Sequence, residues 1–193
     1  MPDSIADGTG TSYLAMVDDE NHLHTTSSTE PLIAHYSRYS SSSYGLSTPM
    51  LTINTTGGRA LWIKNSDPTK DFYFTDFWFN WNGGSTNYNT PMYGQMVFGD
   101  TEPTTNITEG GAGNLNRASA VPANLTVLYW DETGDGMTGY TAGGVAFYWC
   151  NGQGSQHYET GGAIILGANN TISFNLQGGE DGKASINILG YFK

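Results

Sequence analysis

The chain has 193 residues, with 7 Lys and Arg against 18 Asp and Glu and a formal net charge of −11. That charge repels a phosphate backbone, so the aromatic residues have no basic groove beside them with which to read a nucleic acid. Glycine at 26 residues and charged residues at only 13% argue against a helical protein and for strands joined by tight turns. A single cysteine, Cys150, excludes an internal disulfide and leaves the fold to its core or to oligomerisation.

Residues Met1 to Asp7 offer neither the positive region nor the apolar stretch of a secretory signal. No run of about 18 apolar residues follows, so the expectation is synthesis in a cytoplasm and no membrane partner. Tyr13 to Val17 and His22 to Thr26 are β-like runs either side of the turn-forming Asp18-Asp19-Glu20-Asn21. A lone hairpin is marginal in water, so residues 1–36 read as an extended N-terminal arm whose short β-hairpin lies on another surface. Ser37 to Ser47 is too poor in aliphatic residues to bury its backbone, and residues 37–48 read as a Ser-rich linker.

From residue 49 to residue 193 short apolar runs alternate with turn residues. Strands are predicted at Met50–Asn54, Ala60–Asn65, Phe72–Asn80, Met92–Phe98, Asn124–Trp130, Gly144–Cys150, Ala163–Leu166, Thr171–Leu176 and Ala184–Phe192. Ile172, Phe174 and Leu176 alternate with Ser173 and Asn175, as on a strand with one wet face. The run from Phe72 to Trp81 is apolar on both faces, which predicts a second cover from a neighbouring subunit over Phe77, Phe79 and Trp81. Gly57-Gly58, Gly83-Gly84, Gly110-Gly111, Gly161-Gly162 and Gly178-Gly179 read as tight turns, and Gly113 to Ala120 could make one helical turn. Long loops fall near residues 99–120 and 131–143. The fold class is all-β: a single jelly-roll-like antiparallel β-sandwich carrying an N-terminal arm.

Candidate chemistry is sparse. Cys150 follows the apolar Val145-Ala146-Phe147-Tyr148-Trp149 and reads as a buried, unreactive thiol. Asp131-Glu132-Thr133-Gly134-Asp135-Gly136 has calcium-loop residues at the wrong spacing and reads as an acidic turn. His22 and His24 share a strand face and could meet a metal with His35 or His157, although nothing fixes that third ligand. His157 with Glu159 could make an acid–base pair. Asp76, Glu159 and Glu180 are too dispersed for a glycosidase pair to be read from sequence. Trp62, Trp78, Trp81, Trp130 and Trp149 could stack on sugars, or fill a core. The expectation is no catalytic residue, no metal and no cofactor.

The N-terminal run Asp7-Gly8-Thr9-Gly10-Thr11-Ser12-Tyr13-Leu14-Ala15-Met16-Val17-Asp18-Asp19-Glu20-Asn21-His22-Leu23-His24-Thr25 resembles the opening of tailed-bacteriophage head proteins. The closing Ala184-Ser185-Ile186-Asn187-Ile188-Leu189-Gly190-Tyr191-Phe192 resembles the last strand of their jelly rolls. The resemblance implies a capsid decoration (cement) protein on the outer surface of the virion. Such a protein binds the major capsid protein as a homotrimer and carries no catalytic residue. On that reading Tyr13, Leu14, Val17 and Leu23 make the capsid contacts. The long aromatic strand and the Ser-rich tract depart from simple decoration proteins, and keep open a lectin-like, glycan-binding module of a head fibre or tail component.

Overall fold

The computed structural model describes residues 4–6, 14–17, 23–24, 42–84, 90–116, 118 and 121–193. The chain divides into two compact units, Met1–Pro31 and Leu32–Lys193. In the first, β1 (Ser4–Ala6), β2 (Leu14–Val17) and β3 (Leu23–His24) make an antiparallel sheet in that order. Val17 lies opposite Leu23, and Ile5 opposite Ala15. The strand β1 was not among the expected elements. Tyr13, the turn 18–21, His22, His35 and the side chains of Leu14, Val17, Leu23 and His24 lie outside the described residues.

The second unit is a β-sandwich with no helix among the described residues. One sheet contains β4 (Ser43–Ser47), β5 (Leu51–Ile53), β7 (Phe72–Gly83), β10 (Ala112–Asn114), β13 (Gly154–Leu166) and β15 (Gly182–Phe192), in the order β10-β4-β15-β7-β13 with β5 also on β15. The other contains β6 (Gly58–Asn65), β8 (Met92–Phe98), β9 (Ile107–Glu109), β11 (Leu125–Trp130), β12 (Gly144–Asn151) and β14 (Thr171–Gly178), in the order β12-β8-β14-β6-β11-β9. Phe174 of β14 lies 5.7 Å from Phe77 and 6.0 Å from Phe79 of β7, ring centre to ring centre, so the sheets interdigitate face to face. At one margin Gly110-Gly111 carries the chain from β9 to β10, from one sheet across to the other.

Five expectations are corrected. Phe77, Phe79 and Trp81 are 1%, 2% and 2% exposed and belong to this chain's own core, not to a subunit surface. Their strand reads as two-faced because Thr75 is an extra residue in β7. Phe74 pairs with Gly190 and Asp76 with Leu189, so the inward side chains change from even numbers (Phe72, Phe74) to odd (Phe77, Phe79, Trp81). Residues 43–47, assigned to the linker, form the inner strand β4. There the ring of Tyr44 meets Phe192 edge-on at 5.7 Å and its hydroxyl donates to the Pro122 carbonyl at 3.1 Å, so polarity is no bar to burial. Gly161-Gly162 is no turn: both glycines have positive φ, 57° and 86°, inside β13, where the register shifts between Glu159 and Ile164. Cys150 is exposed, because edge strand β12 turns it outward while Trp149 turns in. The expected helical turn at Gly113 also gives way, since Ala112–Asn114 is a strand.

The link from β6 to β7 is pinned by Asp67. One carboxylate oxygen accepts from the backbone N–H of Thr69 (2.9 Å) and of Lys70 (2.9 Å), and the other accepts from Asn124 Nδ2 (2.8 Å). These donors, Asn124 first, hold its pKa at about 2, below the ordinary aspartate value. A depressed folded-state pKa stabilises the fold above the unfolded value and ceases to do so as pH falls through the folded one. The urea midpoint is therefore expected to drop between about pH 4 and pH 2, and Asp67→Asn to remove part of that slope while lowering stability at neutral pH. Urea titrations of both proteins at several pH values would check this.

Candidate functional site: an open margin and a tyrosine-lined depression

The margin opposite Gly110-Gly111 is also crossed by a two-residue link, yet an open groove remains beside it. There β12 and β13 are the edge strands of their sheets, and the chain passes between them through Gly152-Gln153. One end of the gap is closed by Asn151, which is fully buried and donates to the Phe79 carbonyl at 3.4 Å. The Tyr158 hydroxyl lies 3.2 Å from Asn151 Oδ1 and 2.8 Å from Gln156 Oε1. Beyond it a groove of about 380 Å³ opens between the sheets, with Phe77, Phe79, Met96 and Trp149 on its floor and Phe147, Tyr158 and Ile164 on its lips. Phe147 faces inward beside Met96 yet is 48% exposed, because no strand lies outside it. Val145 and Ile165, at 44% and 48%, continue the apolar margin on the outer faces of the same two strands. Monomeric proteins normally blunt or cover such edges.

A second feature lies on the outer face of the β12-β8-β14-β6 sheet. Alternation sends Tyr148 and Cys150 of β12, Tyr93 and Gln95 of β8, and Asn175 and Gln177 of β14 to this side. With the β5–β6 turn and Tyr140 as walls they line a depression of about 550 Å³. Tyr93 is 50% exposed and Tyr148 66%. Asn175 Nδ2 donates to Gln95 Oε1 at 3.2 Å, and Gln177 Nε2 donates to the Thr55 carbonyl at 2.7 Å. Asn175 Oδ1 is covered and accepts no hydrogen bond. The cation in the lining, Arg59, is ion-paired with Asp100 and lies 4.4 Å from the centre of the Tyr140 ring.

The residues singled out from sequence fall elsewhere. Trp62, Trp81, Trp130 and Trp149 are 0%, 2%, 6% and 7% exposed, so none is a free stacking platform. Trp78 is partly exposed, but the His157 imidazole stacks on it at 4.5 Å. His157 bonds Asp76 across the strands, Nε2 to Oδ1 at 2.7 Å, rather than Glu159. Asp76 and Glu159, too dispersed to pair by sequence, are cross-strand partners on β7 and β13, whereas Glu180 lies against Gly83 at the end of β7. In the acidic turn, Asp131 Oδ1 accepts from the Thr133 N–H (2.8 Å), Asp135 Oδ1 from Asn54 Nδ2 (2.9 Å), and Glu132 from the Thr52 N–H. Each carboxylate is thus engaged in a separate bond, two of them to residues before β6. No group of three or more His, Cys, Asp or Glu among the described residues converges on a common point as metal ligands would. Nor does any helix among the described residues have the length and apolarity to cross a membrane.

Sequence reading missed both the margin and the depression. The exposed tyrosines were the available signal: Tyr93 and Tyr148 sit in strands whose neighbouring side chains are core, so alternation alone turns them to solvent. Compared with protein-family models, with curated proteins and with solved structures, the chain has no match.

Proposed function

We propose that the protein is a structural virion subunit, a capsid decoration protein that trimerises and binds the major capsid protein of a phage head. The carrying observation is the open margin: two edge strands flank a groove over core aromatic rings with Phe147 and Ile164 on its lips, and Val145 and Ile165 stand exposed on the outer faces of the same strands. Burial of these apolar side chains against the same margin of another copy supplies the driving force, and closed homo-oligomers are the usual outcome. The subunit contact therefore moves from Phe77, Phe79 and Trp81 to these side chains. Attachment to the head rests on the resemblance of residues 7–25 to phage head proteins. The paired strands β1 to β3 are in keeping with a separate docking element.

Strand order supports a jelly roll. Numbered along the chain, β4, β6, β7, β8, β12, β13, β14 and β15 are eight framework strands. They fall in one sheet as first, eighth, third and sixth, and in the other as second, seventh, fourth and fifth. Two nested Greek keys give this order, with β9, β10 and β11 inserted between the fourth and fifth strands.

Light scattering on the purified chain is expected to give the mass of three copies, and Phe147→Glu with Ile165→Glu the mass of one. The native chain is expected to co-sediment with heads stripped of decoration, and a chain lacking residues 1–31 to stay in the supernatant. A single-chain mass for the native protein at micromolar concentration would end the trimer reading. Retention of head binding without residues 1–31 would end the docking role of that unit.

A further inference from the structure

We propose that the depression on the outer face of the β12-β8-β14-β6 sheet is a binding site for a neutral oligosaccharide. This inference is independent of the trimer reading, since it uses a different face of the sheet.

Three observations carry it. The lining combines exposed aromatic side chains, Tyr93 and Tyr148, with a row of planar amides, Gln95, Asn175 and Gln177. A pyranose presents an apolar C–H face that packs on an aromatic ring, and hydroxyls that both donate and accept, as amides do. Secondly, Asn175 Oδ1 is an acceptor without a donor beneath this surface, and a covered, unpaired amide oxygen is costly. A ligand hydroxyl entering where the flexible Gln95 side chain now reaches Asn175 supplies that donor. Thirdly, the site carries no free charge. Its cation, Arg59, is already ion-paired with Asp100, and no carboxylate lines it.

The same features discriminate against other ligands. Strand β8 is hydrogen-bonded on both sides, to β12 and β14, and β14 on both sides, to β8 and β6. The floor therefore has no free backbone edge for a peptide strand to extend. With a chain charge of −11, sialylated or phosphorylated glycans are disfavoured relative to neutral ones. The volume, about 550 Å³, is within the ordinary range for small-ligand sites of roughly 300 to 1,000 Å³.

The test is saturation-transfer NMR and calorimetry of the full chain. The probes are neutral oligosaccharides ending in glucose, galactose, N-acetylglucosamine or rhamnose, together with sialylated and phosphorylated counterparts. Saturable binding of a neutral member is expected, with affinity reduced tenfold or more by Tyr148→Ala and by Tyr93→Ala. Cys150, which lies in the lining, gives a second readout: bound sugar is expected to slow its alkylation by iodoacetamide. Both tyrosines are half-exposed or more, so these variants retain the fold, which near-UV circular dichroism checks. No binding by any neutral member, stronger binding of the anionic members, or binding unchanged in both tyrosine variants would each overturn the proposal.

Discussion

Replacing Asp100 with alanine is expected to lower the unfolding free energy by about 3 to 5 kcal/mol, a large share of the roughly 5 to 15 kcal/mol that holds a domain together. Asp100 and Arg59 are 2% and 3% exposed. One Asp100 carboxylate oxygen is ion-paired with Arg59 Nη1 and accepts from Ser173 Oγ at 2.5 Å; the other accepts from the Gly143 N–H at 2.6 Å. The Asp100 carbonyl accepts from Thr171 Oγ1 (2.7 Å) and Trp62 Nε1 (3.3 Å). Desolvation pushes the Arg59 pKa down, opposed by its contact with Tyr140. Loss of the carboxylate leaves a guanidinium buried without its counter-charge, which is the costly half of a broken pair. Arg59→Met combined with Asp100→Leu is expected to recover much of the loss, because two apolar groups leave no orphan charge. Urea unfolding of the native chain, the single variant and the double variant measures both steps. The network also fixes the loop bearing Tyr140, so Asp100→Ala is expected to disturb the wall of the depression.

Phe174→Ala is the second large effect, expected at about 3 to 5 kcal/mol. Phe174 is fully buried, and its ring faces Phe77 and Phe79 of the opposite sheet and Trp149 of its own at 6.2 Å. Removing it leaves a cavity that neither sheet can close alone, since both backbones are fixed by their ladders. Trp149 is also the floor shared by groove and depression, so Phe174→Ala is expected to weaken self-association as well. A surface change such as Tyr93→Ala should stay within about 0.5 kcal/mol of the native chain. Denaturant midpoints for the two variants separate the effects.

Period-two alternation made most of the sandwich legible, and β8, β11, β14 and β15 lie close to their predicted bounds. It failed where a strand departs from one constant phase. In β7 the slip at Thr75 made a one-faced strand look apolar all round, and so placed core rings at a subunit contact. In β13 the polar stretch Gly154 to Thr160 hid an edge strand whose inward residues, Gln156 and Tyr158, are hydrogen-bonded rather than apolar. Strand β4 was concealed by serines, whose small side chains suit an inner position between β10 and β15. The depression was beyond sequence for a different reason. Four strands and two loops each contribute one to three residues to it, and their adjacency exists only once β14 has inserted between β6 and β8.

On the proposed trimer reading, the open groove at one margin bears on how far assembly could run. Both margins carry a two-residue crossing, β9 to β10 and β12 to β13, but an open groove remains on the β12–β13 side. In that trimer the β12 lip of each copy would meet the β13 lip of the next, a head-to-tail contact. A rotation that does not close would instead run on as an open fibre, so the proposed trimer requires a closing angle between copies.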